Sequence, residues 1–236
     1  MPQPNQGIRA LCSRIRLFEG LDAAELDEVA KAAELRDFPR RATLFSQGEL
    51  PARLFVLAGG LAKISQINGA GDPVTLRVIA PGEVLACVAV FRQIPYPATA
   101  ITMAESRVLS WPARTILEMM DRLPALRANA LDIVGERTGD LAHQLTEMAM
   151  ARVEERVARA LLRLAARAGQ ATAKGIEISV PLSRQDLAEI AGTDLFSVSR
   201  LFRSWAARGI ILARRMHVTI LDPAALQALT GGRRGG

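Results

Sequence analysis

The stretch LSRQDLAEIAGTDLFSVSRLFRSWAARGII, residues 182–211, narrows the folds open to this chain more than any other segment. Ser183, followed three residues later by Asp186 and then an apolar-periodic run, predicts a capped helix starting at Arg184, with Leu187, Ala188, Ile190 and Ala191 facing inward. Gly192 permits a sharp turn, and Asp194 can cap a second helix whose inward face is Val198, Leu201, Phe202 and Trp205. Two short amphipathic helices joined at one glycine are a helix-turn-helix. The following GIILARRMHVTILD reads as two short strands around Arg214 and Arg215, a β-hairpin wing.

In a helix-turn-helix the first helix crosses the phosphate backbone and the second offers its N-terminal residues to the major groove. Ser183, Arg184 and Gln185 open the first helix and are expected to position phosphates. Base reading then falls to Leu195, Phe196, Ser199 and Arg200. Arg200 has the fork that matches guanine O6 and N7, and Leu195 and Phe196 can touch thymine methyl groups. Alternatively, the apolar pair covers a neighbouring domain in an inactive state.

Charge agrees with this placement. Of the 236 residues, 151–236 carry 14 Lys/Arg against 7 Asp/Glu and 1–150 carry 16 against 17, so +7 and −1 make up the net +6. A basic module joined to a near-neutral one fits a nucleic-acid-binding domain attached to a separate functional domain.

The near-neutral part changes period along its length. LDAAELDEVAK has Asp22 as N-cap and Glu25 in capping-box position, predicting a short helix. From Phe38 to Trp111, ATLFSQ, RLFVLAGG, LAKISQI, VTLRVIA and RVLSW are short strand-like runs separated by turn residues, including Gly48, Gly60 and Gly82. Repeated strands at this spacing predict an antiparallel barrel or roll. Helix returns at 113–121 and again from Pro124. There Leu131, Val134, Thr138, Leu141, Leu145 and Met148 alternate spacings of three and four, a narrow seam expected of a dimerisation helix, the alternative being a helix that packs this stripe on its own roll, where a wider stripe is expected. Residues 151–168 continue as helix, 168–175 have loop composition, and 176–181 form a short strand.

Several functions are disfavoured by count. With only Cys12 and Cys87, neither a disulfide framework nor a four-cysteine iron–sulfur or zinc site is expected, and no metal site is assigned. No apolar run approaches the ~20 residues of a membrane span, and no signal-type leader is seen, so the expected location is cytoplasmic. No nucleophile–base arrangement or phosphate-cradling glycine loop points to an enzyme.

Taken together, LFEGL near the N-terminus, the glycine-punctuated roll, PGEVL, the helix from Pro124 and LSRQDLAEIAGTDLFSVSRLF resemble the Crp/Fnr superfamily of bacterial transcription regulators. The resemblance implies an α+β fold: an N-terminal cyclic-nucleotide-binding-like β-roll of jelly-roll type (1–123), a dimerisation helix (124–150) and a C-terminal winged helix-turn-helix (151–236). It implies a homodimeric, effector-controlled regulator, of activator type, on a two-fold symmetric duplex, with RNA polymerase as a further partner. Ser197 matches a phosphate-contacting position and Arg200 the family's base-reading arginine, but Phe196 stands where the family has a glutamate that accepts from cytosine.

The effector region resembling the family's pocket comprises Gly82, Glu83, Cys87, Ala98, Thr99 and Leu141. Cys87 stands at the position of the ribose-binding glutamate, Pro97 and Ala98 at that of the phosphate-binding Arg-Ser pair, and Leu141 and Ala142 at that of the adenine-contacting Thr-Ser pair. With no cation there to pair with a phosphate, an effector other than cyclic AMP is expected. The PYPATA run is similar to the Dnr-type branch, which senses nitric oxide through haem. Cys87, Tyr96, His143 and the methionines are the candidate axial ligands, without a recognisable spacing. The competing reading is a cyclic-nucleotide-responsive module whose C-terminal domain contacts protein.

Overall fold

The structure, a computed structural model, describes residues 4–67, 73–136 and 151–231. By contacts the described residues divide into two compact units, one formed by 4–62 with 79–136, the other by 63–67, 73–78 and 151–231.

The first unit opens with α1 (Pro4–Cys12), a 3-10 turn (Arg16–Phe18) and α2 (Ala23–Ala32). As its sequence predicts, α2 starts in a reciprocal capping box: Asp22 accepts from the amides of Ala24 and Glu25, and Glu25 accepts from the Asp22 amide at 2.9 Å. Six strands of this unit come next, β1 (Glu34–Phe38), β2 (Thr43–Phe45), β3 (Arg53–Gly59), β6 (Val84–Leu85), β7 (Thr99–Thr102) and β8 (Ser106–Pro112), while β4 (Ala62–Ile67) and β5 (Pro73–Ile79), which follow β3 in the chain, belong to the second unit but for Ala62 and Ile79. One sheet has the order β1-β8-β3-β6, and β2 pairs with β7. The pairs β1–β8, β3–β8, β3–β6 and β2–β7 are all antiparallel, as expected of a roll. Gly60, at φ +86°, turns the chain where a Cβ would lie 2.4 Å from the Glu105 carbonyl oxygen, so only glycine fits.

Short elements escape a pattern reading. β1, β6 and β7 are strands of two to five residues. Between β6 and β7 lies α3 (Cys87–Arg92), flanked by left-handed Ala86 and Gln93. Beyond β8 come α4 (Ala113–Arg122) and α5, described over 124–136.

The largest fully buried side chain here is Trp111. Its indole Nε1 donates to the Val29 carbonyl at 2.9 Å, and its ring meets Phe18 edge-on with centroids 5.1 Å apart. Leu126, Ala130 and Ile133 of α5 are buried in the same core, which holds that helix to the roll by a stripe at spacings of four and three.

The second unit contains, besides 63–67 and 73–78, α6 (Val153–Ala168), β9 (Gly169–Thr172), β10 (Gly175–Ile178), α7 (Arg184–Ala191), α8 (Leu195–Ala207), β11 (Ile211–Arg214), β12 (His217–Ile220) and α9 (Pro223–Ala228). Its sheet has the order β11-β12-β10-β9. The wing is therefore wider than a two-stranded hairpin. β9 occupies sequence of loop composition because β10 offers it a partner: Gly169 to Thr172 pair antiparallel with Ile178 to Gly175, and Ile176 joins the pair to Ile220 of β12.

Trp111→Phe keeps most of the buried ring but leaves the Val29 carbonyl without its donor. The expected cost is about 1–3 kcal/mol, seen as a fall of roughly 2–10 °C in the thermal transition of the first unit by calorimetry.

Candidate nucleic-acid interface

Two caps and one clamp fix the helix pair. Ser183 is the N-cap of α7: its hydroxyl accepts from the Asp186 amide at 3.0 Å and donates to Asp186 Oδ2 at 2.6 Å, while the same carboxylate oxygen accepts from the Ser183 amide. Asp194 caps α8, accepting from the Ser197 amide at 2.8 Å and from its hydroxyl at 2.7 Å. The Ser197 hydroxyl, with the backbone amide behind it, holds the Asp194 carboxyl below the usual aspartate range.

Between the helices Gly192 takes the left-handed conformation, φ +62° and ψ +47°, and its amide donates to the Ala188 carbonyl. Arg156 of α6 then closes the turn. Its Nε donates to the Ala191 carbonyl at 2.9 Å, Nη2 to the Gly192 carbonyl at 3.0 Å and Nη1 to the Ala151 carbonyl at 3.0 Å. A planar guanidinium so placed satisfies two carbonyls that the end of α7 leaves without helical partners.

The inward face of α8 is anchored by Val198, Phe202 and Trp205, all buried, with the Trp205 indole donating to Glu154 Oε1 at 3.0 Å. Leu201, expected inward, is half-buried. Phe196, Ser199, Arg200 and Arg203 remain outward, at the i, i+3, i+4, i+7 spacing of one helix face. Phe196 is 82% exposed and Leu195 40%, and Arg200 and Arg203 are exposed. On α7, the Arg184 guanidinium lies 5.2 Å from the Phe202 ring centroid, and Gln185 Nε2 donates to Glu189 Oε1 at 3.2 Å. Glu189 also pairs with Lys63 of β4, in the same unit. At the wing, Arg214 and Arg215 are exposed beside Met216, whose carbonyl accepts from the Leu182 amide at 2.9 Å.

The sequence-predicted residues therefore divide. Arg184, Gln185, Leu195, Phe196, Ser199, Arg200, Arg214 and Arg215 lie on two helices and a wing within one unit, whereas the hydroxyls of Ser183 and Ser197 already serve the caps. Sequence reasoning missed Arg203, which the i+7 spacing from Phe196 would have found. It also missed Arg156, whose partners lie 35 and 36 residues away and leave no local pattern.

Of the expected effector residues, Gly82, Glu83, Cys87, Ala98 and Thr99 sit in the first unit. Gly82, at φ +88°, donates its amide to the Leu57 carbonyl at 2.7 Å, and the Glu83 carboxylate accepts from the Ala80 amide at 2.6 Å, so both shape a turn. Cys87 is buried in the core with Trp111, Ala98 is buried, and Thr99 Oγ1 accepts from the Gln47 amide at 3.0 Å. The Tyr96 hydroxyl donates to the Arg53 carbonyl at 2.9 Å while its ring stacks on Phe45, and burial raises its pKa. Burial likewise pushes the Cys12 thiol up to about 12. Among the described residues there is no disulfide, no group of three or more His, Cys, Asp or Glu placed to hold a metal, and no helix long and apolar enough to cross a membrane.

Of the expected dimer seam, Leu131 is 67% exposed and Val134 packs partly against the core of the first unit. Thr138, Leu141, Leu145 and Met148 lie outside the described residues, as does His143.

Comparison with known proteins agrees with this architecture. Residues 35–123 match the cyclic nucleotide-binding domain and residues 155–229 the Crp-like helix-turn-helix domain. The chain is 24% identical over 216 residues to a CRP-like cAMP-activated global transcriptional regulator of Mycobacterium tuberculosis, covering 92% of this chain and 96% of that protein. It is 26% identical over 226 residues to the transcriptional activator protein FnrA of Stutzerimonas stutzeri, covering 95% and 91%. The crystal structure of a CRP-family transcriptional regulator from Thermus thermophilus superposes with a TM-score of 0.73 at 25% identity, covering 84% of this chain and 97% of that one. FixK2 from Bradyrhizobium japonicum shares the fold at a TM-score of 0.74 and 15% identity, covering 85% and 98%. With both domains matched in order and relatives of this kind along nearly its whole length, the chain belongs to the Crp/Fnr superfamily of DNA-binding transcription regulators.

Proposed function

We propose that the protein acts as a homodimer on a two-fold symmetric duplex, each protomer laying the start of α8 in the major groove, under control of an effector other than cyclic AMP. The observation that carries this reading is the outward stripe of α8, where Phe196, Ser199, Arg200 and Arg203 project from a helix whose cap, turn and inner face are all tied down. Arg200 reads guanine, while Arg184 and Gln185 on α7, with Arg214 and Arg215 on the wing, neutralise phosphates. Ser183 and Ser197 contribute through the backbone amides that their caps orient. RNA polymerase is the further partner expected of such a regulator.

The dimer reading is supported by Leu131, a large apolar side chain left exposed on α5 although Leu126, Ala130 and Ile133 of the same helix are buried. The seam continues in sequence through Thr138, Leu141, Leu145 and Met148. In functional terms the chain is a sensor over 1–123, a dimerisation helix over 124–150 and a DNA-binding domain over 151–236.

For the effector, one of the relatives is a cAMP-activated regulator. Here Cys87 and Ala98 are buried apolar positions, and Arg92, the one cation between Glu83 and Thr99, is exposed. This environment favours a ligand without a phosphate needing a cationic partner. Tyr96 already donates its hydroxyl to Arg53, which makes it a poor haem ligand. An absorbance spectrum of the protein with its native complement separates haem, which has a Soret band, from a colourless effector.

Three measurements test these proposals. Arg200→Ala should relax discrimination at one base pair of a selected operator by about tenfold. Arg184→Ala should instead weaken all duplexes alike and lower the salt slope of binding by about one; full affinity in both variants contradicts the docking. Titration calorimetry with cyclic AMP and with cyclic GMP should show no saturable micromolar binding, and a saturable isotherm contradicts the effector reading. Sedimentation at micromolar protein should give a dimer, reduced to monomer by Leu131→Glu with Leu145→Glu, whereas a wild-type monomer contradicts the seam.

A further inference from the structure

Phe196 is difficult to account for by folding. It is 82% exposed, the most exposed large apolar side chain among the described residues, and it stands one residue past the start of α8. Burying an aromatic ring removes roughly 150–250 Å² from water, a gain this position forgoes in the isolated chain. The helix start does not need the ring, because Asp194 and Ser197 already complete the cap. Leu195, 40% exposed, extends the apolar surface beside it.

The setting of the ring selects its occupant. Arg200 and Arg203 follow Phe196 at i+4 and i+7 on the same face, both exposed, and neither has an acidic partner among the described residues. An apolar tip on a cationic stripe is complementary to a polyanion that carries an apolar feature. In the major groove the base edges present hydrogen-bond donors and acceptors, with one apolar exception, the methyl group on carbon 5 of thymine. A phenyl ring can neither donate to guanine O6 and N7 nor accept from the cytosine amino group, so the methyl is the feature it complements.

Resting on the DNA-binding reading above, we propose that Phe196 makes this protein a reader of the pyrimidine 5-methyl group, so that it accepts thymine and 5-methylcytosine at the position facing the ring and disfavours unmethylated cytosine there. The consequence is new in kind. An apolar contact senses the methyl and not the Watson–Crick identity of the base, so cytosine methylation of a site would raise affinity without any change in sequence.

The experiment uses the full-length protein and a duplex that it selects from a random pool. Each thymine of a half-site is replaced in turn by uracil, which removes only the methyl, and the thymine·adenine pair so identified is replaced by cytosine·guanine with and without the 5-methyl. One position per half-site should lose about fourfold on the change to uracil, the value of withdrawing one methyl-sized apolar group from contact. Methylating the substituted cytosine should recover a similar factor. Phe196→Ala, at a surface position, should fold with an unchanged thermal midpoint and bind the uracil and thymine duplexes equally. Indifference of the wild type to uracil at every position, or methyl dependence that survives in Phe196→Ala, overturns the inference while leaving duplex binding intact. Failure to select any duplex overturns both.

Discussion

The arrangement of the helix-turn-helix depends on how the turn between α7 and α8 is closed, and one guanidinium closes it. The end of an α-helix leaves carbonyls without partners, and the left-handed Gly192 that turns the chain could swing if nothing fixed its carbonyl. Arg156 places Nε and Nη2 on two successive carbonyls of that turn, those of Ala191 and Gly192, and Nη1 on Ala151 before its own helix. Five donors in a rigid plane suit this task, and an ammonium could not bridge the same pair in fixed geometry. With the turn held and Trp205 anchored to Glu154, the angle between α7 and α8 is set by their packing, and with it the direction in which Phe196, Arg200 and Arg203 point.

The same economy limits the roles open to each polar group. Ser183 and Ser197, at positions suited to phosphate contact, spend their hydroxyls on capping carboxylates, so their influence on a ligand passes through oriented backbone amides. Arg200, Arg203, Arg214 and Arg215 stand exposed on α8 and the wing, so part of the excess positive charge of residues 151–236 lies over that surface. In the first unit, Glu83 and Thr99 bond to neighbouring backbone, and Cys87 joins the core around Trp111.

Legibility in the sequence tracks the range of the interaction. The caps at Asp22, Ser183 and Asp194 and the turn at Gly192 act over three or four residues and are all readable, the first two with their partners Glu25 and Asp186, whereas Ser197 as the partner of Asp194 is not. The inward face of α8 is readable too, apart from Leu201, because helical period dictates it. β9 is not, since GQAT has loop composition and becomes a strand only by pairing with β10, itself paired to a strand over forty residues away. Neither is the clamp. Arg156 sits in an arginine-rich stripe with Arg152, Arg159, Arg163 and Arg167, and nothing local distinguishes the one that reaches the turn. The short helix that opens with Cys87 is not legible either, since it starts from a left-handed Ala86 and buries the Cys87 side chain, neither of which PGEVL announces.

Hydroxyl-radical footprinting of the full-length protein on a duplex it selects tests most directly whether two such helix pairs read DNA together. Two protected half-sites related by a two-fold axis, their centres about 34–36 Å apart along the helix, are expected. A single protected patch, or protection that ignores sequence, would contradict it.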